Sequence, residues 1–134
     1  MRRSGFRIGF ILFFLTVFTV QIGMAANLAP KSTPELKKLI GGGKKTIIFF
    51  QNPNGGPCKA QNEILQKLLK DRKGNFVIAS VSAMNPDDQK AFYDYGVRNL
   101  PSLVLVDGSG NIGRVFPPGI QSYETLAQSL DSMK

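Results

Sequence analysis

Residues 46–58, TIIFFQNPNGGPC, constrain this chain more than any other stretch. Ile47, Ile48, Phe49 and Phe50 form an apolar run without polar alternation. A strand of that kind is buried on both faces, as in the middle of a sheet covered by helices on each side. The run leaves through Gln51-Asn52-Pro53-Asn54 and Gly55-Gly56, whose proline and glycines mark a turn. A helical pattern follows over 57–72. Pro57 suits a first helical turn, Ala60, Ile64, Leu65, Leu68 and Leu69 recur at helical spacing, and Gly74 marks the stop. The only cysteine, Cys58, therefore falls at a helix start reached directly from a central strand. The helix dipole at that place favours a thiolate, so the position suits thiol chemistry.

The N-terminus reads differently from the rest. Arg2, Arg3 and Arg7 precede the apolar run IGFILFFLTVFTV at 8–20, and small residues follow at Gly23, Ala25 and Ala26. A basic segment, a short apolar core and a small-residue site are the pattern of a secretory signal peptide. The run is short for a spanning helix, which needs roughly 20 apolar residues. Residues 1–26 are thus expected to be a leader, cleaved or kept as an anchor, and 27–134 one domain exported to a bacterial periplasm or envelope. Without those three arginines the net charge falls from +8 to +5, and the basic cluster Lys67, Lys70, Arg72 and Lys73 reads as a solvated helix end. No broad basic face indicates nucleic acid. Membrane contact is expected only through an uncleaved leader.

The absence of histidine excludes His-based triads, Cys-His pairs and nearly every zinc site, and no cofactor is expected. A single cysteine cannot form an internal disulfide. The remaining elements follow from caps and periodicity. Thr33-Pro34-Glu35 opens a short helix ending at Gly41, and 76–81 (FVIASV) reads as a second buried strand. Asn85-Pro86 starts a helix that ends at Gly96, with Phe92, Tyr93 and Tyr95 as core and rim aromatics. Asp87 and Asp88 belong to its first turn rather than to a metal site. Strands at 102–106 and 112–116 flank the turn cluster DGSGN, and a last helix spans 122–133. The order is α-β-α-β-α-β-β-α. It implies an α/β domain with a mixed sheet, helices on both faces and a closing hairpin.

Three motifs in this order resemble the thioredoxin family. Gly55-Gly56-Pro57-Cys58 stands where that family has Cys-Gly-Pro-Cys. Leu100-Pro101-Ser102 stands where it has a cis-proline, 43 residues after Cys58. SLVLVDGSGNIGRVFPPGI is similar to its terminal hairpin, with Gly119 at a glycine common after it. The resemblance covers nearly all of 27–134 and implies a thioredoxin-like three-layer α/β/α sandwich. Asn52-Pro53-Asn54 is more similar to exported disulfide-handling members than to cytosolic ones. Gly55, Gly56, Pro57, Leu100 and Pro101 would then flank a bound peptide, and the implied partner is a protein or small-molecule thiol or disulfide.

The departures bear on chemistry. The family's attacking cysteine corresponds to Gly55, so Cys58 matches only the resolving thiol. The acid that the family buries nine residues before it corresponds to Phe49, and the aromatic before the motif to Asn54. One thiol cannot complete a dithiol cycle alone. Cys58 therefore has two readings: a reactive monothiol forming mixed disulfides, or a small buried hydrophobe. They imply a monothiol member of the thiol-disulfide class, or a redox-inactive module that binds or scaffolds an envelope protein. A lost native cysteine at Gly55 is a third account of the motif.

Overall fold

The computed structural model describes residues 27–133, so the leader expected at 1–26 lies outside the described residues. Its elements are α1 (Pro34–Leu39), β1 (Lys45–Gln51), α2 (Gly56–Asp71), β2 (Phe76–Ser82), a 3-10 turn (Pro86–Asp88), α3 (Gln89–Asp94), β3 (Ser102–Val106), β4 (Ile112–Val115) and α4 (Tyr123–Ser132). The helix expected after Asn85 is split. Asn85 caps the 3-10 turn by accepting from the Asp87 N–H, and α3 follows directly. Thr33 and Ser122 cap α1 and α4 by accepting from the Leu36 and Thr125 amides.

The sheet order is β2-β1-β3-β4. β1 runs parallel to β2 and antiparallel to β3, and β3 and β4 form the hairpin. Side-chain alternation divides the core between the two faces of the sheet. Ile47, Phe49, Phe76, Leu103 and Leu105 pack with Cys58, Leu65 and Leu68 of α2 and Leu126 and Leu130 of α4. Ile48, Phe50, Ala79, Val81, Val104 and Val106 pack with Leu36 and Ala91 on the α1 and α3 side. Phe50 meets the rings of Phe92 and Tyr95 at centroid distances of 5.3 and 5.4 Å, edge-to-face with the first and tilted to the second, and aromatic pairs favour such arrangements over a face-to-face sandwich. This is the three-layer α/β/α architecture with a mixed sheet and a terminal hairpin.

Two expectations need correction. β2 is an edge strand, and Val77 and Ile78 are only half-buried because no strand pairs with its outer side among the described residues. The end of α2 is also more than a solvated cluster. Arg72 pairs with Asp131 of α4 and donates to the Ala127 carbonyl, and the Lys67 ammonium lies 4.8 Å from the Tyr123 ring centroid. Those contacts clamp α2 to α4.

Candidate thiol site at the start of α2

β1 delivers the chain to the site. Gln51 Nε2 donates to Ser80 Oγ at 2.6 Å, and the Ala83 N–H donates to the Gln51 carbonyl at 2.8 Å. These bonds tie together the ends of β1 and β2 where both leave the sheet. Asn52 then makes the bend. Its Oδ1 accepts from the Asn54 N–H at 3.0 Å and its carbonyl from the Gly55 N–H at 2.9 Å. An asparagine side chain that holds the amide two residues on is a local substitute for backbone pairing. Gly55 is the N-cap of α2, with φ −83° and ψ 130°, and its carbonyl accepts from the Lys59 N–H at 3.1 Å. That backbone conformation is open to any residue, so glycine is not required there by strain.

Cys58 sits one turn inside this cap. It is 3% exposed and belongs to the apolar cluster between the sheet and α2. Its Sγ accepts from the Asn52 N–H at 3.4 Å. A Cβ at Gly55 would lie 3.6 Å from that sulfur and 3.3 Å from the Asn52 carbonyl oxygen. The thiol therefore faces a side-chain position that the sequence leaves empty. Phe49 is buried in the same cluster, opposite Ser80 of β2 and Leu103 of β3. Among the described residues no carboxylate is fully buried, so no internal acid stands ready to move a proton at the sulfur.

The second half of the site comes from register. Phe50 pairs with Ser102, so the residues just before β3 lie beside the exit of β1. The Leu100–Pro101 peptide bond is cis. The Pro101 carbonyl accepts from the Gly119 N–H at 3.0 Å, and Ser102 Oγ donates to the Asn99 carbonyl at 2.5 Å. Leu100 packs against both core clusters, including the one that holds Cys58. Gly55, Gly56, Pro57, Cys58, Leu100 and Pro101 thus collect at one end of the sheet.

Three further residues belong to this end. Gln61 is fully buried in α2, where its amide accepts from the Gln121 N–H at 2.6 Å and donates to the Gln121 carbonyl at 3.2 Å. It pins the segment after Gly119 to the helix that carries Cys58. Its only sequence signal is position, since 58, 61, 65 and 68 form the buried stripe of α2. Ala60, by contrast, is half-buried beside that stripe. Met84 and Ile120 are 62% and 48% exposed, one just beyond β2 and the other next to Gly119. Among the described residues, no three His, Cys, Asp or Glu side chains converge as metal ligands.

Residues 33–134 match the thioredoxin-like domain family. The chain belongs to the thioredoxin-like family. Its structure is similar to an uncharacterised thioredoxin-like protein from Clostridium perfringens, with TM-score 0.65 and 21% identity over 88% of this chain and 90% of that one. It is also similar to Fasciola hepatica thioredoxin, with TM-score 0.59 and 20% identity over 70% and 85% of the two chains. A malarial protein matches with TM-score 0.59 and 14% identity, over 67% and 97%. At these identities the likeness is one of fold. In this thioredoxin-like protein Cys58 lies one turn inside α2, with glycine at the helix cap.

Proposed function

We propose that this protein is an exported member of the thiol-disulfide class that works through Cys58 as a monothiol. The observation that carries the reading is the 3.6 Å between Cys58 Sγ and the empty Cβ position of Gly55. A partner's sulfur would enter where a second cysteine side chain is missing. The Cys58 thiolate attacks one sulfur of a partner disulfide, the partner's S–S bond breaks, and its other sulfur leaves as a thiolate. A Cys58–partner disulfide results. A second thiol, from a protein or a small molecule, then attacks the partner's sulfur in that bond, forms a new disulfide with it and returns Cys58 as a thiolate, so Cys58 passes the disulfide on and is itself neither oxidised nor reduced overall. The Leu100 backbone, held beside Gly55, Gly56 and Pro57 by Pro101, would hold the extended partner segment by strand-like pairing, since the Pro101 carbonyl already accepts from the Gly119 N–H.

A second reading, a redox-inactive module that binds an envelope protein by the same face, is favoured by the burial of Cys58. Glutathione disulfide added to the folded protein distinguishes the two. The monothiol reading expects one glutathionyl adduct on the wild type and none on Cys58→Ala. An adduct that forms only in denaturant would discard it in favour of the binding module. Export is tested separately by the mass of the protein isolated from its host, which should lack a leader ending near Ala25 or Ala26.

A further inference from the structure

The free edge of β2 lies apart from the thiol site and has its own chemistry. Its sequence, FVIASVS, contains no charge and no proline, the usual devices that protect an exposed edge. Amides along a strand point alternately to its two sides. The Ala83 N–H points inward to the Gln51 carbonyl, whereas the Ser82 N–H points outward and donates to Asp88 Oδ2 at 2.8 Å. Even-numbered amides therefore face away from the sheet. The Glu35 carboxylate lies beside the next of these, the Ser80 N–H. Two carboxylates thus close one half of the edge. The other half, at Phe76 and Ile78, has no backbone partner among the described residues.

A groove of about 620 Å³ runs along this edge. Leu69, Phe76 and Ile78 form its apolar side towards α2, and Glu35, Leu39 and Val77 form the lip towards α1. We propose that this edge binds an extended polypeptide segment carrying an apolar side chain next to a single Lys or Arg. The segment's backbone bonds to the outward groups of Phe76 and Ile78. Because successive side chains point to opposite faces, the apolar one enters the α2 side and the cation reaches Glu35 on the α1 side. Charge selects this occupant. Glu35 has no ion-pair partner within 4.0 Å among the described residues. Desolvation, followed by repulsion from Asp88, holds its carboxyl above the usual range, and the Ser80 N–H and then Lys38 only partly offset them. A cation supplied by the bound segment offsets the repulsion from Asp88 and pairs with the partly desolvated carboxylate. Lys44 lines the groove as well, which disfavours a second cation.

The test is a titration of the chain carrying Cys58→Ala, so that thiol chemistry plays no part and the result stands apart from the monothiol reading. The probe is the peptide acetyl-TVSVKVS-amide, with acetyl-TVSVEVS-amide as its charge-reversed control. Amide spectra should shift saturably at Phe76, Val77 and Ile78, and the outward amides of Phe76 and Ile78 should become protected from exchange. The lysine peptide should bind about fivefold more tightly than the glutamate peptide, as expected for a partly screened charge pair. Glu35→Gln should bring that ratio close to one, and Ile78→Lys should abolish binding of the lysine peptide. Shifts confined to the surroundings of Gly55 and Leu100, or a ratio unchanged by Glu35→Gln, would overturn the proposal.

Discussion

Placing a cysteine at Gly55 tests the geometry of the thiol site most stringently. The backbone accepts it, because Gly55 has φ −83° and ψ 130°. Its Cβ would lie 3.6 Å from Cys58 Sγ, close enough for the two side chains to bond after a small adjustment. The 3.3 Å approach to the Asn52 carbonyl is tight and requires that oxygen to move by a few tenths of an ångström. Closing so short a loop contributes about 2 kcal/mol in the chain-entropy account. Crowding at Asn52 removes about 1 kcal/mol of that. The net gain of about 1 kcal/mol should raise Tm by roughly 4–8 °C for a domain of this size. The assay is a pair of thermal melts of Gly55→Cys, one after oxidation and one in dithiothreitol, with free thiols counted in each. The oxidised protein should have no free thiol and the higher Tm. Two free thiols after oxidation, or a lower Tm in the oxidised form, would refute the placement of Gly55 opposite Cys58. Insulin reduction by the same variant should remain slow, because Phe49 leaves no acid beside the pair.

The remaining predictions concern the supports of the site and the sheet edge. Gln61→Leu leaves the Gln121 N–H and carbonyl without their buried partner, at a cost of about 1–3 kcal/mol, and the urea midpoint should fall accordingly. Gly108→Ala puts a Cβ 2.6 Å from the Gly43 carbonyl oxygen, a backbone atom that cannot swing aside, and should cost about 1–3 kcal/mol by the same measurement. The carboxyl of Glu35 is held above its ordinary 4.5 in the folded chain. The folded state therefore takes up a proton more readily than the unfolded one, and the stability this contributes at low pH is lost as pH rises through the folded value. Glu35→Gln should be more stable than wild type at neutral pH and lose that advantage below pH 4.5. Thermal melts across this range check the sign, and an advantage that grows on acidification would be incompatible with it.

Much of the fold is legible because local signals and the core agree. The caps at Thr33, Asn85 and Ser122 accept the amides that their positions suggest. The run 47–50 reads as central, and the strand lies between β2 and β3. The run 76–81 looks much the same in sequence, yet it forms an edge. An apolar run reports that side chains find a core, whereas its place in the sheet depends on which strands flank it. Gln61 escapes for a related reason. An amide on a helix reads as solvated, and its partner at Gln121 is a backbone group 60 residues away. The thiol site is legible by motif, since Gly55-Gly56-Pro57-Cys58 and Leu100-Pro101 meet at one end of the sheet. The burial of Cys58 is not, because it depends on how the apolar cluster between the sheet and α2 closes over it.

The central claim is that Cys58 is reached past Gly55, and a single methyl group tests it. Gly55→Ala places a carbon 3.6 Å from the sulfur without requiring a strained backbone. The rate of disulfide exchange between Cys58 and glutathione disulfide should be measured for both proteins in native buffer, with unfolding free energies measured alongside. The account predicts a severalfold slower reaction for Gly55→Ala, with stability lowered by only about 1 kcal/mol from crowding at Asn52. Equal rates in the two proteins, each tracking global unfolding, would contradict it and leave Cys58 as a residue of the core.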